Sequence, residues 1–294
     1  MSDTVLSLRR KLGQANDLKS VVRTMKSLAM ASIGQYEQSI RGLGDYYHAV
    51  EQGLCVCFRE SKVLAPKRKG QADMEVIGAV IFGSDQGLVG QFNEVVADFA
   101  IKTLPAQPDK VKVWIVGERV YMHMADAKLP IMELFAVPTS VKAITPLVGQ
   151  ILIDTETSHS RDEISKLYIF HNRPKLRESY EPVSQQILPL DENWRRSLAG
   201  LSWPTGSLPQ VLGSISDTLP VFISEYLFVS LFRACAESLA CENASRLAAM
   251  QRADKNINDM LDELKSKYYR LRQSVIDEEL FDVISGFEAL SGKR

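Results

Sequence analysis

The stretch from Val221 to Ser285, VFISEYLFVSLFRACAESLACENASRLAAMQRADKNINDMLDELKSKYYRLRQSVIDEELFDVIS, runs for about sixty-five residues without a Gly or a Pro. At roughly 1.5 Å per residue it predicts a single helix approaching ~100 Å. Within it Ala236, Ala240, Asn243, Leu247, Met250, Ile257, Leu261, Leu264, Tyr268, Leu271 and Val275 fall at alternating three- and four-residue steps, interrupted only where Asp254 takes a seam position. That is the pattern of a coiled-coil seam. The positions between are mostly charged or polar, as at Arg252, Lys255, Asp259, Glu263, Lys265 and Arg270. A helix with one narrow apolar stripe needs a partner to cover it.

The partner expected is at the front of the chain, where Leu8, Ala15, Val22, Ala29, Tyr36, Leu43 and Val50 repeat every seven residues. A companion column holds Leu12, Ile33, Ile40, Tyr47 and Leu54 but is basic at Lys19 and Lys26, which predicts solvent or a third surface at that level. Side-chain size suggests an antiparallel pair with the bulky Leu8 and Leu12 opposite Ile257 to Leu264. The first helix is expected to start at Asp3 or Thr4 and to weaken past Gly53. Ser61 to Asp73, polar and basic, reads as an exposed linker.

Between the two helices the period changes. Val76–Phe82, Val111–Val116, Ile131–Phe135 and Leu167–Phe170 are strand-like, with helices expected at Phe92–Lys102, Glu118–Ala125 and Ser140–Thr155 between them. Val183 to Leu188 is a candidate edge strand, and Pro204, Gly206, Pro209, Gly213 and Pro220 break up the approach to the long helix. The fold class is therefore α/β plus long helices: an antiparallel coiled coil of N- and C-terminal helices with an inserted Rossmann-like α/β domain. The division expected is 1–60 and 215–290 for the coiled-coil helices and 74–200 for the insertion.

Charge is balanced over the 294 residues, 35 basic against 36 acidic, so there is no electrostatic footprint for nucleic acid. No run approaches eighteen apolar residues and no basic-then-apolar leader is present, which predicts no membrane span and no export. Cys55, Cys57, Cys235 and Cys241 lack the spacing of a zinc cage and read as free thiols without redox control. His48, His123, His159 and His171 are scattered, with no metal or triad arrangement. The turn Gly83-Ser84-Asp85-Gln86-Gly87-Leu88-Val89-Gly90 follows a strand and opens a helix, where a phosphate site would lie. Its glycine spacing fits neither a dinucleotide fingerprint nor a P-loop, and no lysine is placed to reach a phosphate, so a structural turn is the better reading. A nucleotide-binding enzyme dimerised by its helical arms stays open as an alternative, as does a passive coiled-coil scaffold.

The run Glu237-Ser238-Leu239-Ala240-Cys241-Glu242-Asn243-Ala244-Ser245-Arg246-Leu247-Ala248-Ala249-Met250, followed by Tyr268, Arg272-Gln273-Ser274-Val275-Ile276, Glu279-Leu280 and Ile284-Ser285-Gly286, resembles the signature helix of the gamma subunit of F-type ATP synthases. Arg23-Thr24-Met25-Lys26-Ser27-Leu28-Ala29 and the turn Ser84 to Gly90 resemble two further landmarks of that family, in the same order. The resemblance implies a central rotor with the alpha and beta subunits, the epsilon subunit and the c-subunit ring as partners. It places the chain at the cytoplasmic face of the energy-transducing (inner) membrane, in a complex that couples ion transport to ATP synthesis. It implies no catalytic residue, metal or cofactor in this chain. The partner-facing candidates it carries over are Arg23, Met25, Lys26, Glu242, Arg246, Gln273 and Glu279. Departures at Ala31-Ser32, Gln86, Val89, Cys241, Asn243 and Asp277 mark a divergent branch.

Overall fold

The computed structural model describes residues 4–60, 76–105, 107–175, 180–200, 203, 209 and 211–291. The linker expected at Ser61 to Asp73, and Pro204 and Gly206, lie outside them. The chain divides into two compact units, 1–29 with 247–294 and 30–246, so both long helices pass from one unit to the other.

Helix α1 is Val5–Glu60 and α6 is Ile215–Ser291. In the first unit their segments pair antiparallel. The heptad column Leu8, Ala15, Val22 and Ala29 is buried, as are Met250, Ile257 and Leu261 opposite it, with Leu12, Met25 and Leu264 packed against that cluster. Two of the polar interruptions of the seams meet each other: Lys26 Nζ lies 3.3 Å from Asp254 Oδ2, with side chains 31% and 20% exposed. At the level of Lys26 the partner is thus the facing helix. A polar pair inside an apolar seam fixes alignment, because a shift would leave a charge against aliphatic carbon. Leu8 shares a surface depression with Lys267, Leu271 and Ser274. Leu8 therefore sits about one heptad beyond the Ile257 to Leu264 level that side-chain volume alone predicts, in the alignment set by the Lys26–Asp254 pair. Past Ser274, Val275, Ile276, Leu280, Phe281, Val283 and Ile284 of α6 are all exposed.

The second unit is built on a five-stranded sheet. Its strands are β1 (Ile77–Phe82), β2 (Val111–Val116), β3 (Ile131–Phe135), β4 (Lys166–Arg173) and β5 (Glu181–Leu188), ordered β3-β2-β1-β4-β5. The first four are parallel and β5 is antiparallel to β4 at the edge. Strand β1, nearly continuous in apolar residues, is central and buried on both faces. Chain order reverses direction between β3 and β4, so right-handed crossovers put α2 (Phe92–Thr103) and α3 (Glu118–Ala125) on one face and α4 (Val141–Ser160) on the other. Ala79, Ile81, Val113 and Ile115 pack under Val96, Ala100, Val120 and Met124. The opposite residues Val80, Phe82, Trp114 and Val116 share a core with Ile144, Val148 and Ile151 and with Val50, Leu54, Leu227 and Leu231 of the long helices.

Two expectations are corrected. Helix α1 does not weaken past Gly53: Leu54 to Cys57 are buried, and a Cβ on Gly53 would lie 2.2 Å from the Phe222 ring, so the glycine admits a close approach of α6. Pro220 lies inside α6, six residues into the helix, rather than before it. Helix α6 also has a window of mean hydropathy 1.5, long and apolar enough to cross a membrane by composition alone; half of it is buried in the fold, as in a core helix. A short helix, α5 (Glu192–Ala199), went unforeseen.

Replacing Lys26 by Met alone leaves the Asp254 carboxylate without its partner and should cost about 2 kcal/mol. The pair Lys26→Met with Asp254→Leu should recover that loss, which urea unfolding of the three variants measures.

Candidate functional site

In open α/β sheets ligands sit outside the carboxyl ends of the strands where strand order reverses, here between β1 and β4. The turn Gly83 to Gly90 leaves β1 at that place. Gly83 has no room for a side chain, since a Cβ would come within 2.4 Å of Val120. The Ser84 N–H donates to Asn93 Oδ1 (2.9 Å), the Asn93 amide donates to Ser84 Oγ (2.8 Å), and Ser84 Oγ donates to the Gln86 carbonyl (3.0 Å). Asp85 accepts the Glu118 N–H at the start of α3 (3.0 Å) and the Val137 N–H in the loop before α4 (2.8 Å). A phosphate cradle aims its N–H groups and its cations outward. The Ser84 and Asp85 side chains are instead bonded within the domain, and Asp85 pins three strand-to-helix connections together.

The rest of the crevice is filled by α6. Cys241 packs on Val89 and Phe92, and Ser245 Oγ donates to the Val89 carbonyl. Asn172, at the carboxyl end of β4, donates to the Phe92 carbonyl (2.9 Å). One turn of α6 away is a buried charge cluster that the sequence did not reveal. Glu237 Oε2 accepts from His171 Nε2 (2.9 Å) and Arg173 Nε (3.3 Å), and its Oε1 accepts from Arg233 Nε (2.8 Å). His171 and Glu237 are almost wholly enclosed. Burial works against the charge of Glu237, but the hydrogen bonds from His171 and Arg233 outweigh it and hold the carboxyl down to about 2. For His171 burial dominates and keeps its pKa below the usual histidine range, with Glu237 pulling the other way. The imidazole is thus neutral at pH 7, protonated at Nε2, and its buried Nδ1 has no partner among the described residues. The only advance signal was an acid, Glu237, four residues after Arg233 on a face otherwise lined by small and apolar residues.

The carried-over candidates separate. Glu242 and Arg246 come together: Arg246 Nη2 donates to Glu242 Oε1 at 2.5 Å, with side chains 12% and 7% exposed for Arg246 and Glu242. Arg246 also donates to Asn243 Oδ1 (3.3 Å). Burial pushes the Glu242 carboxyl up, Arg246 offsets part of that, and the Asp85 charge adds to the rise. Met25 is half buried in the seam and Lys26 is paired with Asp254, whereas Arg23, Gln273 and Glu279 are exposed.

A sheet of this order whose crevice is filled by one of two long terminal helices defines a class: an α/β domain inserted between long N- and C-terminal helices. The family described as ATP synthase matches residues 4–290, and the chain belongs to that family. Similar sequences include ATP synthase gamma chains of Dichelobacter nodosus (strain VCS1703A), 24% identical over 96% of this chain and 98% of that one, and of Anaeromyxobacter sp. (strain Fw109-5), 26% identical over 96% and 98%. Among solved structures, the rotor of the Euglena gracilis mitochondrial ATP synthase is similar with a TM-score of 0.61 at 16% identity, over 92% of this chain and 98% of that one. The central stalk and c-ring structure of the Tetrahymena thermophila mitochondrial ATP synthase gives 0.56 at 17%, over 79% and 99%.

Two outcomes follow from the buried charges. Arg246→Ala strands the Glu242 carboxylate in the interior and should destabilise the chain by about 3 kcal/mol, with Glu242→Leu/Arg246→Met much milder, as chemical denaturation will show. His171 binds its proton more readily unfolded than folded, so stability should fall as pH drops below the ordinary histidine value of 6.5; Glu237 adds a second loss as pH falls below the ordinary carboxyl value of 4.5 toward about 2. Thermal midpoints measured across pH should lose the first slope in His171→Gln and keep the second.

Proposed function

We infer that this chain is the gamma subunit of an F-type ATP synthase, the central rotor shaft that couples ion flow through the membrane sector to ATP synthesis or hydrolysis in the alpha/beta ring. The carrying observation is the end of α6. Six large apolar side chains between Val275 and Ile284 stand exposed there. A soluble chain presents such an end to an apolar sleeve supplied by other subunits, since each side chain buried there contributes about 1.5–3 kcal/mol. Alpha and beta subunits at that end, and epsilon and the c-subunit ring at the α/β domain, complete the assembly. The chain then lies peripherally on the cytoplasmic face of the inner, energy-transducing membrane.

The alternative of a nucleotide-binding enzyme loses its support at the crevice. Ser245, Cys241 and Glu237 of α6 take up the space between β1 and β4, and the Ser84 and Asp85 side chains of the Gly83 to Gly90 turn are bonded within the domain. We propose that the chain has no catalytic site, metal or cofactor of its own and that chemistry resides in the surrounding ring. Arg23, Gln273 and Glu279, exposed, are the direct partner contacts in this reading. Glu242, Arg246, Met25 and Lys26 act on the partners through the position and alignment of the helices they hold.

The test is co-expression with alpha and beta subunits. The chain should co-purify with both, while Phe281→Ser/Val283→Ser, which removes exposed apolar surface without touching the chain's own core, should weaken capture at least tenfold. Gln273→Ala should lower ATP turnover of an otherwise intact complex. A chain that purifies only as a homodimer, or that hydrolyses ATP alone, would contradict the reading.

A further inference from the structure

Near the end of the turn after β1 the backbone takes a conformation its sequence does not favour. Gly90 has φ 60°, as a glycine readily does, but Leu88 has φ 64°, in the left-handed region where a Cβ crowds the following carbonyl. Lys128 and Asp162, the other non-glycine residues at positive φ among the described residues, are polar; Leu88 alone of the three is apolar. Packing does not offset the strain, because Leu88 is 61% exposed. Contacts on either side hold the backbone in place: Ser84 and Asp85 are tied to α2, α3 and the loop before α4, while Val89 is buried on Cys241 and its carbonyl accepts from Ser245. Beside the same turn lies Arg119, whose backbone N–H donates to the Ser84 carbonyl (2.9 Å) and whose Nη2 is 3.8 Å from where a Cβ on Gly87 would stand. Arg119 is exposed, and its guanidinium has no hydrogen-bond or ion-pair partner among the described residues.

We propose that Leu88 and Arg119 form a docking point for a subunit of the ring around α6: Leu88 fills an apolar pocket of that subunit, and Arg119 pairs with a carboxylate at the pocket's rim. This rests on the reading of the chain as a rotor shaft. A turn that already carries Gly83, Gly87 and Gly90 could hold a glycine at position 88 without strain, so a leucine kept there, rigid and exposed, is accounted for by a contact outside the chain. The unpaired guanidinium beside it selects the partner by charge, favouring an acidic rim and disfavouring a basic surface. Val89, the next residue, is bonded to Ser245, so Leu88 stands beside α6 just before that helix passes out of the second unit. Because the turn is already fixed by its own bonds, seating the leucine costs little ordering entropy. A shaft that turns must make and break such a contact at each step, which one leucine and one solvent-screened charge allow.

The experiment uses the full chain, alone and co-expressed with alpha and beta subunits. Leu88→Asn keeps a residue type that tolerates the left-handed region while removing the apolar side chain. It should leave the thermal midpoint of the isolated chain unchanged or higher, yet be lost from the alpha/beta complex at least about fivefold faster on dilution. Arg119→Glu should speed that loss by a similar factor at low salt, with the difference from the unmodified chain vanishing toward ~1 M salt. A leucine that serves only its own fold gives the opposite pattern, a lower midpoint in the isolated Leu88→Asn chain and unchanged release; either result would overturn the proposal. So would an effect of Leu88→Asn confined to a co-expressed epsilon subunit or to self-association of the chain. An unmodified chain that captures neither alpha nor beta overturns the rotor reading and this contact with it, whereas unchanged release of Leu88→Asn from a complex that does form overturns this contact alone.

Discussion

Everything in the second unit depends on the seating of α6 across the carboxyl ends of β1 and β4. Between Tyr226 and Asn243 almost every α6 residue is buried or half buried, far more than one seam would cover. A helix buried on nearly all sides must be apolar or small throughout, and Ala234, Ala236, Ala240, Cys235 and Cys241 meet that demand. Polar groups survive there only where the sheet supplies partners: Glu237 for His171, Arg173 and Arg233, and Ser245 for the Val89 carbonyl. The place where related sheets bind a nucleotide is thus the socket of this domain, and shape and charge both favour the chain's own helix as occupant.

Much of this architecture was legible from period alone. The seven-residue column of α1 and the three-and-four spacing of α6 are each forced by the need to cover one stripe, so burial follows the pattern residue by residue from Leu8 to Val50, with Leu43 half buried, and from Ala236 to Leu271. The strands were readable because parallel strands buried on both faces need long apolar runs, as at Ile77–Phe82 and Val111–Val116. What stayed hidden depends on residues distant in sequence. Lys26 and Asp254 looked like two separate flaws, and only their meeting at 3.3 Å shows them to be one feature. His171 looked like any scattered histidine, because nothing near it in the chain announces Glu237. The role of Asp85 is hidden for a related reason: its partners are backbone N–H groups, at Glu118 and Val137, which composition cannot display.

The candidate interface was the least legible part. A resemblance carries over residue types, and the environment decides what each type does. Arg246 and Glu242 are charged residues on a helix, ordinarily a solvated pair of small consequence, but their burial converts them into an internal strut whose loss leaves a stranded charge. Gln273 and Glu279, on the uncovered end of the same helix, keep the exposure that a direct contact requires. The buried pair serves the chain's own packing, and the exposed groups stay at its surface.

The account's central claim is that the turn after β1 and the α6 segment seated on it form one cooperative unit with no vacancy for a nucleotide. Native-state hydrogen exchange measures this directly, because segments that open together share one opening free energy. The amides of 83–90 and of 237–245 should exchange with the same protection, unchanged by saturating ATP. Protection of 83–90 well below that of 237–245, or a gain in protection at the turn when ATP is added, would contradict it.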